Sequence, residues 1–418
     1  MQLELRQKLG LLTDVDNVCV VADPGGRRIG SGGSTLYCLL HVLQDRGGSA
    51  RVDLDRFYQV LGGLRILIIH AGGDSKRLPA YGPCGKIFVP VPGESDSSLP
   101  MTLFDRQLPT YLALPPSPPG RGQVIIASGD VMLRFDPAQV HFDQPGLTGL
   151  GCYADPQQAA NHGVYAGVDA DGRVKRFLQK PTLDQQAALG ATNHYGQSIL
   201  DIGVMHFDAA LAVRLLELFG VCLDDTAYLQ LSGQMAQAVT DWGLDFYREI
   251  CCAMGCEVTG AYHIQMARSS GSGWNDALLG RLLQALDGTD FNLQLLRRCD
   301  FIDFGSTRHI IQSGTVLLQQ DIGAPHLQSC LDINNDRSPD GMLIGTNAWV
   351  EGCRVTAPLT LGGFNVVSGL DIDIPLTLPA GACVDVAPAL STDPCWFVRC
   401  YHVDDTFKDT VSQNATFC

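Results

Sequence analysis

Charged residues are sparse at 17% of the chain, and basic ones are sparser still: 29 Lys and Arg stand against 44 Asp and Glu, for a formal charge of −15. A surface that neutralises nucleic-acid phosphates needs clustered Lys and Arg, so this balance excludes one, and any phosphate site must be built locally. No apolar run approaches the roughly 18–20 residues of a membrane helix. Met1 to Gly10 likewise lacks an apolar stretch of signal-peptide length. A cytoplasmic protein with neither nucleic-acid nor membrane partner is expected. Cysteine is not scarce at 15, but CxxC pairs are missing, and Cys19, Cys38, Cys299 and Cys383 sit within apolar runs. They read as small core residues rather than disulfides. Cys251, Cys252 and Cys256 lack the second ligand pair of a zinc site and are expected to be buried thiols.

What the chain has is core: 45% of its 418 residues are hydrophobic, enough for about two or three domains. Val18–Ala22 reads as a strand running into the glycine loop Gly30–Thr35 and a helix over Leu36–Leu43. Arg65–His70 is a compact apolar strand followed by Ala71-Gly72-Gly73-Asp74-Ser75-Lys76-Arg77, and Ile87–Val91 looks strand-like. A helix over Leu103–Leu114 and a strand over Val124–Ser128 continue the alternation, which predicts an α/β domain with a mainly parallel sheet. Gly163–Val168 and Val174–Leu178 flank Asp171-Gly172 as an antiparallel hairpin. Ser198–Phe207 returns to strand, Leu211–Gly220 and Asp225–Trp242 look helical, and Cys299–Phe304 is the closing strand. After about Ile310 short β-branched runs recur between glycines, with the loose spacing of a β-solenoid. The expected organisation is a Rossmann-like domain over 1–310, a smaller all-β, solenoid-like domain over 311–392, and the start of a truncated C-terminal extension over 393–418.

Gly72, Gly73, Asp74 and Ser75 directly after a strand allow close backbone approach to an anion, with Lys76 and Arg77 adding charge and Lys86 reaching the same phosphates. The alternative is a tight strand-to-helix turn. Asp130 follows Gly129 at the carboxyl end of an inner strand, where open α/β sheets put their ligands, and suits a hard cation such as Mg2+. Asp303, before Gly305-Ser306-Thr307, is the natural second carboxylate; it could equally cap the next helix. Lys180, in Leu178-Gln179-Lys180-Pro181, is placed to hold a monophosphate or stands as a surface lysine. Gly30, Gly32 and Gly33 either cradle phosphate or shape a turn.

Together and in this order the pieces resemble the GDP-fucose pyrophosphorylase half of bifunctional fucokinase/GDP-fucose pyrophosphorylases, most closely the plant type. The likeness rests on Asp23-Pro24 with Arg28-Ile29-Gly30-Ser31-Gly32, on Ile69-His70-Ala71-Gly72-Gly73-Asp74-Ser75-Lys76-Arg77, and on Gly85-Lys86 and Gly129-Asp130-Val131. It continues through Asn161-His162-Gly163-Val164, Leu178-Gln179-Lys180-Pro181, Asp201-Ile202-Gly203 and Phe304-Gly305. The resemblance implies a sugar-nucleotidyltransferase fold in which Gly72, Gly73 and Arg77 form the nucleotide-phosphate loop and Lys86 follows it. It also implies Asp130 as a magnesium ligand, Gly163 at the sugar, Lys180 on the sugar phosphate, and His162 and Asp201 as further sugar contacts. Two positions depart: Gln179 stands where the wider class commonly has Glu, and Asp303 where fucose-specific relatives carry His.

The expected reaction is transfer of GMP from GTP to L-fucose 1-phosphate with release of pyrophosphate, assisted by Mg2+. The resemblance implies that relatives continue past Thr416-Phe417-Cys418 into a kinase half, and neither a kinase ATP loop nor kinase activity is expected of these 418 residues. Transfer to another sugar 1-phosphate, or a non-catalytic module that binds a nucleotide-sugar, would use many of the same residues.

Overall fold

In the computed structural model the apolar runs of the sequence become the centre of a seven-stranded sheet. The structure describes residues 1–47, 52–71, 75–93, 95, 97–322, 330–389 and 395–407, with the side chains of 47 and 322 excepted. The first strands are β1 (Arg65–His70), β2 (Gln123–Ser128), β3 (Val131–Arg134), β4 (Leu147–Ala154), β5 (Gly163–Tyr165), β6 (Phe177–Gln179) and β7 (Ser198–Phe207). A short hairpin follows, β8 (Val221–Leu223) with β9 (Leu229–Leu231), then β10 (Phe291–Leu295) and β11 (Asp300–Asp303). The main path runs β1-β2-β7-β4-β10. β1 lies parallel to β2 and β4 to β10, while β7 runs against both of its neighbours, so four of these five strands share one direction. The expected hairpin is β5 with β6, and β5 also pairs with β7.

The alternation along β2 explains why both faces are covered. Val124 and Ile126 join the core beneath the helices Gly30–Gly47, Leu54–Gly62 and Ala209–Leu218, whereas Ile125 and Ala127 join Leu133, Leu150 and Leu200 on the other face. Such double burial calls for unbroken apolar runs rather than an apolar/polar alternation.

Several expectations are corrected. Val18–Ala22 forms no strand: it has no partner ladder, and Val20 is 79% exposed. The helix expected at Leu36 begins at Gly30 and runs to Gly47. Ile87–Val91 is a 3-10 turn at Lys86–Phe88 followed by one bridge between Pro90 and Thr102. Asp225–Trp242 divides into β9 and a helix from Gly233, after the sharp left-handed turn of that glycine.

Beyond the helix Thr307–Ile322 the chain winds through three parallel sheets. One face stacks Cys330–Ile333, Ala348–Glu351, Asn365–Ser368 and Ala382–Pro388. The second stacks Asp336–Arg337, Arg354–Val355 and Asp371–Ile372, and the third Leu343–Ile344, Leu359–Leu361 and Leu376–Leu378. Val350, Val355, Leu359, Val367 and Ile372 fill the interior. Trp396–His402 lies past the boundary expected at 392, yet it pairs antiparallel with Ala382–Pro388 and extends the first sheet.

Candidate active site

The parallel register of β1 and β2 sets His70 beside Ser128, so both strands deliver their following loops to one place. Gly129 is required there: a Cβ on it would lie 2.6 Å from the His70 carbonyl oxygen, and its amide donates to that same oxygen at 3.2 Å. The chain then turns into β3, whose antiparallel partner is β11, with Val131 opposite Asp303. The Phe304 amide donates to the Asp130 carbonyl at 2.8 Å, and the two acids expected at the site are thereby made neighbours.

Gly305 marks the centre. A Cβ there would sit 2.8 Å from Asp303 Oδ1, 3.1 Å from Asp130 Oδ2 and 3.5 Å from Arg77 Nη2. Lys86 Nζ lies 3.3 Å from Asp130 Oδ2 and donates to the Gly305 carbonyl at 2.9 Å. Ser128 Oγ donates to Asp130 Oδ1 at 2.8 Å, and the Gly305 amide to Asp303 Oδ1 at 2.6 Å. The Arg77 carbonyl accepts from the Thr307 amide and hydroxyl, at 2.8 and 3.1 Å, which ties the loop to the start of the helix Thr307–Ile322.

His309, in the first turn of that helix, brings Nδ1 to 2.7 Å from Asp303 Oδ2. Burial works to raise the Asp303 carboxyl, but the His309 ring and the Gly305 amide outweigh it and hold the group below the usual carboxylate range. The same contact raises the His309 imidazole.

His162 packs edge-on against Phe301, with ring centroids 4.8 Å apart. Burial lowers its imidazole, while Asp303 and Asp130 act to raise it and Lys180 and Arg77 to lower it further. The ring thus shares the surroundings of all four. Lys180 occupies the left-handed region at φ 50°, and its amide donates to the His162 carbonyl at 2.9 Å, which closes the hairpin under the site.

On the hairpin side, Gly163 has no room for a side chain, since a Cβ would meet Phe177 Cζ at 2.3 Å and Asp201 Cβ at 3.0 Å. Asp201 is buried, accepts at Oδ1 from the Gly203 amide at 3.0 Å and from Tyr165 Oη at 3.3 Å, and is raised by desolvation to about 7. Gln179 Oε1 is buried without a hydrogen-bond partner among the described residues.

Other expected residues are placed elsewhere or not described. Gly72, Gly73 and Asp74 lie outside the described residues. Ser75, left-handed at φ 48°, and Lys76 border a groove of about 640 Å3 with Pro79, Arg399 and Tyr401, and neither Asp130 nor Lys86 lines it. Gly30, Gly32 and Gly33 are accounted for by packing: their Cβ positions would run into Leu244 or Val239, and the Gly32 and Gly33 amides both donate to the Leu244 carbonyl. Cys251 and Cys252 are buried, and Cys256 is exposed. Sequence reasoning missed Gly305 and His309 as site residues; the run Gly305-Ser306-Thr307 after Asp303 was the available signal.

The donor set fits Mg2+. Two carboxylates converge on a gap that a methyl group would fill, and Mg2+ needs only one or two protein carboxylates when water and phosphate oxygens complete its shell. Among the described residues no group of three or more His, Cys, Asp or Glu is arranged to hold a metal unaided.

Comparison with known proteins bears on this arrangement. The family model described as the fucose pyrophosphorylase domain matches residues 58–418. The "L-fucokinase/L-fucose-1-P guanylyltransferase" of Bacteroides fragilis is 26% identical over 413 residues, covering 94% of this chain and 38% of that protein. The "bifunctional fucokinase/GDP-fucose pyrophosphorylase" of Arabidopsis thaliana is 26% identical, over 58% of this chain and 26% of its own length. The "fucose-1-phosphate guanylyltransferase" of Mus musculus is 31% identical, over 44% of this chain and 31% of its own length. The chain therefore spans less than half the length of the curated relatives it matches.

Proposed function

Because this chain belongs to the fucose pyrophosphorylase domain family, we propose that it transfers GMP from GTP to L-fucose 1-phosphate, releasing pyrophosphate and forming GDP-L-fucose. The observation that carries the proposal is the convergence of Arg77, Lys86, Asp130 and Asp303 around Gly305. Two cations and two hard carboxylates at one point suit a reaction in which a phosphate oxygen attacks a phosphorus in line and negative charge must be neutralised.

In this reading Lys86 and Arg77 hold the phosphates of GTP, and Lys180 holds the sugar phosphate across the cleft. His162, largely unprotonated at neutral pH because burial lowers it, offers a neutral ring to the sugar. Gln179 and Asp201 supply hydroxyl partners, and the glycine at 163 keeps a side chain from crowding Asp201 and Phe177. Asp130 and Asp303 would hold Mg2+, which supplies charge neutralisation at the reacting phosphates. The glycine loop at 72–74 is assigned to the nucleotide on the resemblance alone. The three-faced parallel unit reads as a β-solenoid, a cytoplasmic setting is part of the same proposal, and a covalently linked kinase is the expected partner in a longer protein, as in the names of two relatives.

The test is pyrophosphate release with Mg2+, GTP and L-fucose 1-phosphate, with each omitted in turn and GTP replaced by ATP, UTP or CTP. Release that requires all three supports the proposal. Release with another sugar 1-phosphate, or binding without release, overturns it.

A further inference from the structure

Between Arg77 and Lys86 the chain is gripped by residues far away in sequence. Tyr81 is 3% exposed, and its hydroxyl accepts from Trp349 Nε1 at 2.8 Å while donating to Glu351 Oε2 at 3.1 Å. Ser368 Oγ donates to that same carboxylate oxygen at 3.0 Å. Two residues before Tyr81, the Pro79 carbonyl accepts from Arg399 Nη2 at 2.9 Å, and Arg399 is itself fixed by Asp385 at 2.6 Å. Every one of these partners belongs to the sheet that begins the parallel β unit. The apolar surroundings are shared too, since Leu78, Tyr81 and Val89 pack in one cluster with Trp349 and Tyr401.

A buried hydroxyl that loses its partners bears the full cost of desolvation, so a chain of three donors ending on one half-buried carboxylate has one satisfied arrangement and no near alternative. Arg77 and Lys86 flank the gripped segment, and a displacement of about 1 Å at reacting groups costs on the order of a hundredfold in rate.

We infer that the parallel β unit positions the phosphate-binding segment, with Tyr81 and Glu351 as the positioning residues that set Arg77 and Lys86 against Asp130 and Asp303. The kinetic half of this inference rests on the proposed guanylyl transfer; the structural half does not.

The experiment compares Tyr81→Phe, Glu351→Leu and Glu351→Gln in the full chain by pyrophosphate-release kinetics, melting temperature and amide hydrogen exchange over Leu78–Val89. Tyr81→Phe and Glu351→Leu are expected to lower kcat about tenfold or more, with KM for the sugar 1-phosphate within about twofold, and to speed exchange in that segment. Glu351→Gln keeps an acceptor oxygen for Tyr81 and Ser368 and is expected to restore both readouts. Wild-type kcat and exchange in folded Tyr81→Phe and Glu351→Leu overturn the inference, as does a fall in activity that only follows the unfolded fraction. If the wild-type chain releases no pyrophosphate with any nucleotide and sugar phosphate, the proposed reaction has failed. Exchange then decides alone: faster exchange in the two disruptive variants supports the grip, and unchanged exchange overturns it.

Discussion

Replacing Gly305 by Ala puts one methyl group where the site is tightest. That Cβ would stand 2.8 Å from Asp303 Oδ1 and 3.1 Å from Asp130 Oδ2, closer than carbon and oxygen pack without strain, so the Asp303 carboxylate must retreat by about half an ångström. It is not free to do so, being held at Oδ1 by the Gly305 amide at 2.6 Å and at Oδ2 by His309 at 2.7 Å. The strain is local, and overpacking of this kind costs about 1–3 kcal/mol of stability. The functional effect is expected to be larger in proportion: half of the ~1 Å misplacement that costs a hundredfold suggests a fall of about tenfold in kcat. The concentration of Mg2+ for half-maximal rate should rise about tenfold as well, equivalent to about 1.4 kcal/mol of binding. The assay is a Mg2+ titration of pyrophosphate release, paired with Mn2+ binding followed by electron paramagnetic resonance, which needs no turnover. A folded Gly305→Ala protein with unchanged kcat and unchanged Mn2+ affinity would refute the placement of the cation between Asp130 and Asp303.

Lys86→Ala removes the contacts to Asp130 and the Gly305 carbonyl; kcat should fall about 10²–10³-fold, more than fold stability does, and steady-state kinetics beside a thermal melt would check it. Asp201 has a folded-state pKa raised above its unfolded value by burial, so the native state holds the proton that the unfolded chain gives up. Stability from this group is present below about pH 4, falls as pH rises to about 7, and is flat above, a difference on the order of 4 kcal/mol. Asp201→Asn should flatten that slope and leave the variant more stable than wild type at pH 8, as urea unfolding at several pH values would reveal. Arg6 is buried at 1% exposure and engages Asp105 through both carboxylate oxygens at 2.6 Å. Arg6→Ala, which strands Asp105, should cost about 3 kcal/mol, measured by chemical denaturation.

The strands that were legible in the sequence are those whose burial is decided locally. Arg65–His70 and Ser198–Phe207 read out with their observed bounds because an apolar run covered on both faces needs no other information. Val18–Ala22 has the same composition, but a strand also needs a neighbour, and no ladder reaches it. The glycines from Gly30 read equally as a phosphate cradle or a turn, and what the sequence could not display is the close approach of Leu244 to Gly30 and Gly32, more than two hundred positions away. The acids Asp130 and Asp303 were found from their places at strand ends. Gly305 and His309 were not, because their meaning depends on β11 lying against β3 and on the turn that follows, neither of which leaves a periodic mark.

The grip on Tyr81 carries a consequence for biosynthesis. Its partners Glu351 and Trp349 lie 270 and 268 positions downstream, and Arg399 meets Pro79 across 320. A nascent chain exposes Arg77 and Lys86 long before it exposes what holds them, and contacts of such separation form late. The large mixed sheet is thus able to assemble on the ribosome before the segment between Arg77 and Lys86 is held, and the grip closes as a separate, later event, timed by emergence of Trp349, Glu351 and finally Arg399.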